Sequence, residues 1–146
     1  MYEQKTGDLF FSNDKSKLQI EVIYSFLSKE SYWAKNIPFK TVDESIKNSL
    51  CFGVYAKDQQ IGFGRVITDF ATFGYLADVF IIESYRGKGV SKKLIDFIMN
   101  YPALTKLRRF MLATKDAHGL YKKYGFNELS TPERFMEIKP FEIYTS

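Results

Sequence analysis

The feature that most constrains the fold is a strand–turn–helix transition at the centre of the chain. Residues 75–82 form a short and almost continuously apolar run, which is typical of a strand buried on both faces of a sheet. A polar turn follows at residues 83–89, and residues 90–100 then carry apolar side chains at helical spacing. A buried strand that leads directly into an amphipathic helix predicts an α/β domain with helices packed on a central sheet.

The segments on either side fit the same class. Further strands are predicted at residues 9–12, 51–56, 61–69, 110–113, 126–129 and 135–138, with a hairpin between the second and third of these. Further helices are predicted to begin at Asp14, at Thr41, which has capping-box spacing to Glu44, and at Ala117. No internal repeat or flexible linker divides the chain, so residues 1–146 are interpreted as a single domain.

The residue types that form disulfide bonds and metal sites are scarce. Cys51 is the only cysteine and His118 the only histidine among 146 residues, which excludes an internal disulfide framework and a His/Cys metal cluster. The longest apolar runs are far shorter than the roughly 20 residues that a bilayer span needs. Residues 1–4 begin no apolar signal segment. We therefore expect a metal-free cytoplasmic protein with no membrane partner.

The charge balance is mildly basic and argues against a nucleic-acid partner. The chain has 21 Lys and Arg against 17 Asp and Glu, a formal net charge of +4. Its lysines are scattered, with only short pairs such as Lys92-Lys93, whereas a nucleic-acid-binding domain concentrates its charge in a patch or a recognisable motif. The surplus still suits a small polyanionic ligand.

The turn at residues 86–91, Arg-Gly-Lys-Gly-Val-Ser, has the chemistry of an anion site. Glycines let the backbone approach a ligand closely, and the first amides of the following helix have no internal acceptors. The P-loop pattern is absent, and in the dinucleotide pattern the last glycine position falls on Lys92. The sequence therefore matches neither the P-loop motif nor the dinucleotide-binding motif.

Two motifs together resemble the GNAT superfamily of N-acetyltransferases. Arg86-x-x-Gly89-x-Ser91 resembles the family's coenzyme A turn, and residues 117–126 are similar to a second signature in which an Ala and a Tyr precede a Gly-Phe pair. The resemblance covers the element order from residue 9 to 138 and is to a small, bacterial-type, single-domain member. It implies a GNAT fold of α+β type, with a mixed, mostly antiparallel central sheet and about four helices. It also implies acetyl-CoA as cosubstrate.

The resemblance assigns cofactor contacts residue by residue. The strand that pairs with the pantetheine arm corresponds to Val79, Phe80 and Ile81. The pyrophosphate turn corresponds to Arg86, Gly87, Lys88, Gly89, Val90, Ser91 and Lys92. Ser91 departs from the usual Gly or Ala but remains small. Thr114 stands where many members have an Asn that touches the cofactor, and the resemblance implies a cofactor contact at this position.

Acetyl transfer to an amine needs a proton for the departing thiolate, and Tyr121 matches the tyrosine that supplies it in the family. A tyrosine hydroxyl with a pKa of about 10 is protonated at pH 7 and can donate to a thiolate with a pKa near 8.5. By spacing alone, Tyr121 could equally be a core aromatic on a helical stripe. A backbone amide of the central strand is expected to polarise the thioester carbonyl.

The general base is left open by the sequence. Asp78 lies among apolar residues of the central strand, where a carboxylate is costly unless it is paired or functional, and we predict it as the catalytic base. The alternative is a structural ion pair with Arg65 on the preceding strand. Asp69, His118 and a chain of water molecules are further candidates. Cys51 has no base partner in the sequence and is interpreted as a core residue, which favours direct attack by the amine.

The acceptor is expected to meet the aromatic loop at residues 31–39, with Tyr32 and Trp33 as contacts. A small-molecule or peptide amine is compatible with this loop, and both a monomer and a homodimer remain open. The leading hypothesis is an acetyl-CoA-dependent N-acetyltransferase. The alternatives are a non-catalytic acetyl-CoA-binding sensor and a basic nucleic-acid-binding domain, the latter supported by the pI alone.

Overall fold

The described residues form a six-stranded sheet, in which the strands lie in chain order, with helices packed on it. A computed structural model describes residues 1–140, 143 and 144. The strands are β1 (Glu3–Thr6), β2 (Leu9–Ser12), β3 (Leu50–Ala56), β4 (Gln59–Thr68), β5 (Phe73–Ile81) and β6 (Arg109–Leu112). Strands β1 to β5 pair antiparallel, and β6 runs parallel to β5. The sheet is therefore mixed and mostly antiparallel, as the sequence predicts.

Four α-helices cover the two faces of this sheet. They are α1 (Ile20–Ser25), which continues into a π-helical turn at Phe26–Glu30, α2 (Phe39–Lys47), α3 (Val90–Met99) and α4 (His118–Lys122). Helices α3 and α4 enclose one core with Phe52 and Val54 of β3, while α1 and α2 enclose the other with Cys51. Because alternate residues of β3 enter opposite cores, the strand is apolar along its whole length. None of the helices in the described ranges is long and apolar enough to cross a bilayer.

The central strand–turn–helix prediction is confirmed, but two helix starts are wrong. The carboxylate of Asp14 caps only a 3₁₀ turn, accepting from the Ser16 amide at 3.0 Å, and α1 begins six residues later. Helix α2 begins immediately after Pro38 instead of at Thr41. Proline is well suited to the start of a helix because its fixed φ fits and its missing N–H is not needed there.

The strand predictions are wrong near both ends of the chain. Residues 126–129 and 135–138 are not strands, so the two predicted C-terminal strands are wrong, while the short strand β1 was not predicted. Alternating apolar residues favour a strand only where a neighbouring backbone accepts it. Strand β1 has such a neighbour in β2, whereas the C-terminal segments have none in the part of the chain that the structure describes.

The sheet opens between β5 and β6. Their parallel pairing runs from Phe73–Arg109 to Leu76–Leu112 and then stops, although β5 continues to Ile81. Residues 77–81 are paired with β4 but present their other backbone edge to an open cleft. This splayed region positions the candidate site.

Candidate active site

One wall of the cleft is the free edge of β5. Phe80 and Ile81 pair with Phe63 and Gly62 of β4, and their side chains are buried in the two cores. The strand is therefore held rigidly while its backbone groups on the β6 side have no strand partner. An extended, amide-containing ligand can pair with such an edge as an added strand.

The end of this wall is the glycine turn that leads into α3. Gly87 and Gly89 have φ angles of +76° and +77°, a left-handed conformation that side chains rarely adopt. The first intrahelical bond of α3 is donated by the Lys93 amide to the Gly89 carbonyl at 3.2 Å. The amides of the three preceding residues, Val90, Ser91 and Lys92, thus have no intrahelical acceptor and are available to an anion.

Arg86 fastens this turn to β5. Its Nε donates to the Ile81 carbonyl at 3.0 Å, and its guanidinium lies 5.7 Å from the centre of the Phe26 ring. Lys88 and Lys92 are exposed and carry the positive charge of the turn into solvent. Arg86 therefore has structural contacts, and the Lys88 ammonium lies over the Tyr85 ring, 5.3 Å from its centre.

Strand β5 contains a bulge at the point where the cleft begins. Asp78 and Val79 together face the single residue Gly64 of β4, and Asp78 has a φ of +55°. Aspartate tolerates this left-handed conformation better than most residues, although it is still unfavourable. The bulge turns the backbone locally and re-aims the amides that follow it into the cleft.

The carboxylate of Asp78 is fully engaged. Its Oδ2 accepts from Arg65 Nε at 2.6 Å, and its Oδ1 accepts from Trp33 Nε1 at 2.8 Å. Arg65 also donates to the Ser49 hydroxyl at 2.9 Å. Arg65 is the ion-pair partner that the sequence offered as the alternative to a base. Trp33 was not foreseen as a partner, since nothing in the sequence links two residues 45 positions apart.

Tyr121 lies on α4 beyond the end of β6, with its ring packed edge-on against Phe126. Only 9% of its surface is exposed. Burial, with a smaller contribution from the nearby Tyr32, raises the pKa of the Tyr121 hydroxyl above its usual value of 10.0. The hydroxyl is therefore a proton donor at any physiological pH.

The aromatic loop between α1 and α2 reaches both sides of the cleft. The Tyr32 hydroxyl accepts from the Lys115 amide at 3.2 Å, just beyond β6. Trp33 packs edge-on against Tyr32 with ring centres 5.0 Å apart, and it bonds to Asp78 on β5 as described above. Both rings are also substantially exposed. The Lys115 ammonium also lies over the Tyr32 ring, 5.3 Å from its centre, so one face of that ring already contacts a cation.

The other candidate residues have different surroundings. Thr114 Oγ1 accepts from the Ala117 amide at 3.1 Å and so helps to start α4. Asp69 lies in the turn between β4 and β5, at the opposite end of β5 from the cleft. The hydrogen bond from the Thr72 hydroxyl, together with those from amides of the turn, holds its pKa well below the usual range. His118 is exposed at the start of α4. Burial raises the pKa of the Cys51 thiol to about 11.

Within residues 1–140, 143 and 144, no three His, Cys, Asp or Glu side chains are grouped closely enough to hold a metal ion. Asp78, on the strand that borders the cleft, is instead paired with Arg65 and Trp33.

Comparisons with known proteins assign the fold and the family. The acetyltransferase (GNAT) domain model matches residues 47–128. A Gibberella zeae protein named as an acetyltransferase is 31% identical over 137 residues, which cover 80% of this chain and 77% of that protein. A GNAT-family acetyltransferase structure from Xanthomonas campestris pv. campestris shares 45% identity and a TM-score of 0.93, covering 97% of this chain and 100% of that one.

A more distant structure shares the fold. The acetyltransferase from Clostridium acetobutylicum, crystallised with acetyl-CoA, is 17% identical with a TM-score of 0.66, covering 90% of this chain and 96% of that one. The matched region 47–128 contains strands β3 to β6, the glycine turn, α3 and α4. The chain therefore belongs to the GNAT family of acetyltransferases, enzymes that use acetyl-CoA as the acetyl donor.

Proposed function

We propose that this protein transfers the acetyl group of acetyl-CoA directly to a primary amine, with Tyr121 as the general acid. The observation that carries the proposal is the opening of the sheet between β5 and β6. This opening extends from the glycine turn at one end to the region of Tyr121 at the other. We infer that one cleft combines an anion site, a free strand edge and a buried proton donor.

The chain's own residues suit the cofactor in three ways. The left-handed glycines and free α3 amides fit a pyrophosphate, because they offer several N–H donors at the positive end of a helix dipole. The open edge at residues 79–81 fits the amides of a pantetheine arm. The Cβ positions of Gly87 and Gly89 face open space, so the turn leaves room for a ligand.

Acetyl-CoA, when bound, supplies the acetyl group as an activated thioester. The backbone amides beyond the bulge at Asp78 are proposed to donate to the acyl carbonyl oxygen, where negative charge develops. Tyr121 holds the proton that the thiolate needs. Its raised pKa keeps the hydroxyl protonated at neutral pH, so the proton is available to the sulfur as the C–S bond breaks.

We assign Asp78 a positioning role in place of the base role. Its two oxygens accept hydrogen bonds from Arg65 and Trp33, and these bonds hold the carboxylate in one orientation beside the bulge. The ion pair holds the left-handed bulge, and the bulge directs the amides that follow it. Water then removes the amine proton, whose pKa is about 10.4 in a lysine-like acceptor.

Tyr32 and Trp33 are proposed to contact the acceptor. They lie between the Asp78 bulge and the residues after β6, with their ring faces exposed beside the cleft. An aromatic face attracts ammonium groups and packs on flat or apolar surfaces. The acceptor class is therefore a small-molecule or peptide amine that bears such a surface or charge.

Calorimetric titration with acetyl-CoA tests the cofactor site. The double variant Gly87→Asp, Gly89→Asp places two carboxylates where the pyrophosphate is proposed to bind, and we expect it to lose saturable binding. Gly7→Asp is a matched control, because Gly7 also has a positive φ and open space but lies in the β1–β2 turn. Absence of binding to the unaltered protein at millimolar acetyl-CoA would contradict the proposal.

Turnover then tests the chemistry. The unaltered protein is expected to release free coenzyme A from acetyl-CoA in the presence of an amine panel that includes aromatic amines, polyamines and peptides. Binding without turnover of any amine would favour a non-catalytic acetyl-CoA sensor. Loss of turnover in Asp78→Asn, with restored turnover at high pH, would favour Asp78 as the base over the positioning role.

A further inference from the structure

Helices α1 and α2 cover only part of the sheet face on which they pack. The core between them and the sheet takes one residue from each of three strands, Cys51, Phe63 and Phe80. On β4 the same face continues past Arg65, the register partner of Cys51, to Ile67. Ile67 is 43% exposed, although its neighbour Val66 is fully buried in the core on the opposite face. The helices therefore leave the far part of this face uncovered.

The uncovered part of the face is mostly apolar. It consists of the side chains that alternate with buried residues of β4, β5 and β6, namely Ile67, Phe73, Tyr75, Arg109 and Met111. Tyr75 is the register partner of both Ile67 and Met111, and Phe73 is the partner of Arg109, so the five side chains are neighbours. Phe73 is 39% exposed. Because contiguous exposed apolar side chains mark a contact with another molecule, we call this surface the open face.

The open face begins at the proposed acceptor site. Ala77 of β5 is the register partner of Arg65, and the next residue is Asp78, whose carboxylate joins Arg65 to Trp33. Phe73 is five positions before Asp78 on the same strand, which corresponds to about 16 Å at roughly 3.3 Å per residue. An acceptor whose amine reacts beside the bulge can therefore continue along the open face.

The far end of the open face, at the start of β6, is positively charged. Arg109 lies beside Phe73, and Arg108 directly precedes it. The amides of Arg108 and Arg109 donate to the Thr72 carbonyl at 3.0 and 3.2 Å, which fixes both residues against the β4–β5 turn. The Arg109 guanidinium lies 4.7 Å from the centre of the Phe135 ring. Among residues 1–140, 143 and 144, neither arginine forms an ion pair with a carboxylate.

The aspartates at the two ends of the exposed stretch of β5 are bound within the chain. Asp78 accepts from Arg65 Nε at 2.6 Å, and Asp69 accepts from the Thr72 hydroxyl at 2.6 Å. These bonds leave the charge at the far end of the open face positive. Guanidinium groups bind carboxylates well, because their N–H donors match the two carboxylate oxygens. A ligand that fits this surface is apolar in its middle and acidic at its far end.

We propose that the acceptor is a polypeptide whose reacting amine lies beside Asp78, whose following residues are apolar and lie on the open face, and whose acidic residues meet Arg108 and Arg109. The inference rests on the proposed acetyl transfer and names the class of its acceptor. About five extended residues span the distance from the bulge to the arginines, which a single amino acid or a small amine does not reach.

The chemical step is the proposed transfer, with a peptide amine as the nucleophile. The amine nitrogen forms the C–N bond of the acetamide, and the C–S bond of the thioester breaks. The sulfur takes the Tyr121 proton, and the proton of the nitrogen passes to water. The open face takes no part in these bond changes, so its contribution is to binding and to the choice of acceptor.

Peptide binding is the first test, measured by fluorescence anisotropy with coenzyme A present, which has no acetyl group to transfer. The probe is a labelled eight-residue peptide with a free amino terminus, apolar residues at positions two to four and glutamates at its last three positions. A matched probe has lysines in place of the glutamates. The Kd of the glutamate peptide is expected to be lower by about tenfold or more. Equal Kd values for the two peptides overturn the proposal.

Charge reversal on the protein tests the basic end of the open face. Arg108→Glu, Arg109→Glu is expected to remove the preference for the glutamate peptide. Lys5→Glu, Lys57→Glu is the matched control, because it makes the same change at exposed residues of β1 and of the β3–β4 turn. Circular dichroism melts verify that both variants are folded. An unchanged preference in the arginine variant, or an equal loss in the control, overturns the proposal.

A second pair of variants tests the apolar middle of the open face. Ile67→Ser, Phe73→Ser is expected to raise the Kd of both peptides by about tenfold, because it removes apolar contacts that they share. Met136→Ser, Ile138→Ser is the matched control, since these side chains are also exposed but lie outside the open face. Equal Kd values in the two variants overturn the proposal.

Turnover separates failure of this inference from failure of the proposed acetyl transfer. With acetyl-CoA, kcat/KM for the unlabelled glutamate peptide is expected to exceed that for the lysine peptide and for a single amino-acid amide by about tenfold or more. Equal kcat/KM for the amide and the glutamate peptide overturns the polypeptide acceptor and leaves the acetyl transfer standing. Selective binding of the glutamate peptide without acetylation of any amine overturns the acetyl transfer and, with it, the acceptor role.

Discussion

The two walls of the cleft are built by different means. The wall proposed to bind the cofactor, called the cofactor wall below, consists of the free edge of β5 and the glycine turn. It presents backbone groups whose direction is set by strand pairing and by left-handed residues. The acceptor wall, with Tyr32 and Trp33, presents side-chain rings that are held by single hydrogen bonds to distant parts of the chain. One wall is mostly main chain and the other mostly side chain.

This difference suits two kinds of ligand. Backbone amides recognise a pyrophosphate and an extended amide chain whatever side chains lie around them, so that wall can be shared by many acetyltransferases. Ring faces on a loop can change by single substitutions without disturbing the sheet. We infer that the side-chain wall is where acceptor choice varies, and the following experiments test the division.

The largest effect is expected for Tyr121→Phe, which removes the proton donor and leaves the cofactor wall intact. Turnover should fall by about 10²-fold or more, while the Kd for acetyl-CoA stays within about twofold. Steady-state kinetics and calorimetry measure the two quantities. Tyr101→Phe serves as the control, since Tyr101 packs against Phe52 in the core behind β3. Equal turnover in the two variants would remove Tyr121 from the mechanism.

The next effect concerns the ion pair between Arg65 of β4 and Asp78 of β5. Arg65→Gln leaves the Asp78 carboxylate largely buried without its cation, and the free energy of unfolding should fall by about 3 kcal/mol. Denaturant titration measures this loss. Arg108→Gln, at an exposed position before β6, should change stability little. If Arg65→Gln and Arg108→Gln are equally stable, the bulge at Asp78 does not depend on its ion pair with Arg65.

A smaller effect is expected on the acceptor wall. Trp33→Phe keeps an aromatic ring but removes the N–H that bonds to Asp78, so the KM for the amine should rise by about tenfold. The Kd for acetyl-CoA should not change. The control is Phe70→Leu, which alters an exposed aromatic residue of the β4–β5 turn. A parallel loss of acetyl-CoA affinity in Trp33→Phe would show that the walls are not separable.

The smallest effect is expected on the pH dependence of kcat. Because the folded pKa of Tyr121 lies above 10.0, the acid form is present at all lower pH values and is lost only as the pH rises through that folded pKa. The descending limb of kcat should therefore begin above pH 10, and it should be missing from the residual activity of Tyr121→Phe. A descending limb near pH 8 would assign the acid to another group.

Local pattern was enough to predict the cofactor wall. The apolar run of β5, the glycines of the turn and the apolar stripe of α3 depend on residues that are close in sequence, so their structure can be derived from nearest neighbours. The start of α2 was placed wrongly because Pro38 and the capping pair Thr41 and Glu44 are both valid local start patterns. The packing of α2 against α1 and the sheet determined which of the two start positions is used.

The amino-acid sequence by itself determined the mixed α/β class, the glycine turn before α3 and the family, because each depends on short-range pattern. Tertiary structure alone decided the contacts of Trp33 with Asp78 and of Tyr32 with Lys115, which span 45 and 83 positions along the chain. It also decided that residues 135–138 do not form a strand within one chain. A strand, like an ion pair, exists only where the fold brings it a partner, and no local pattern specifies that partner.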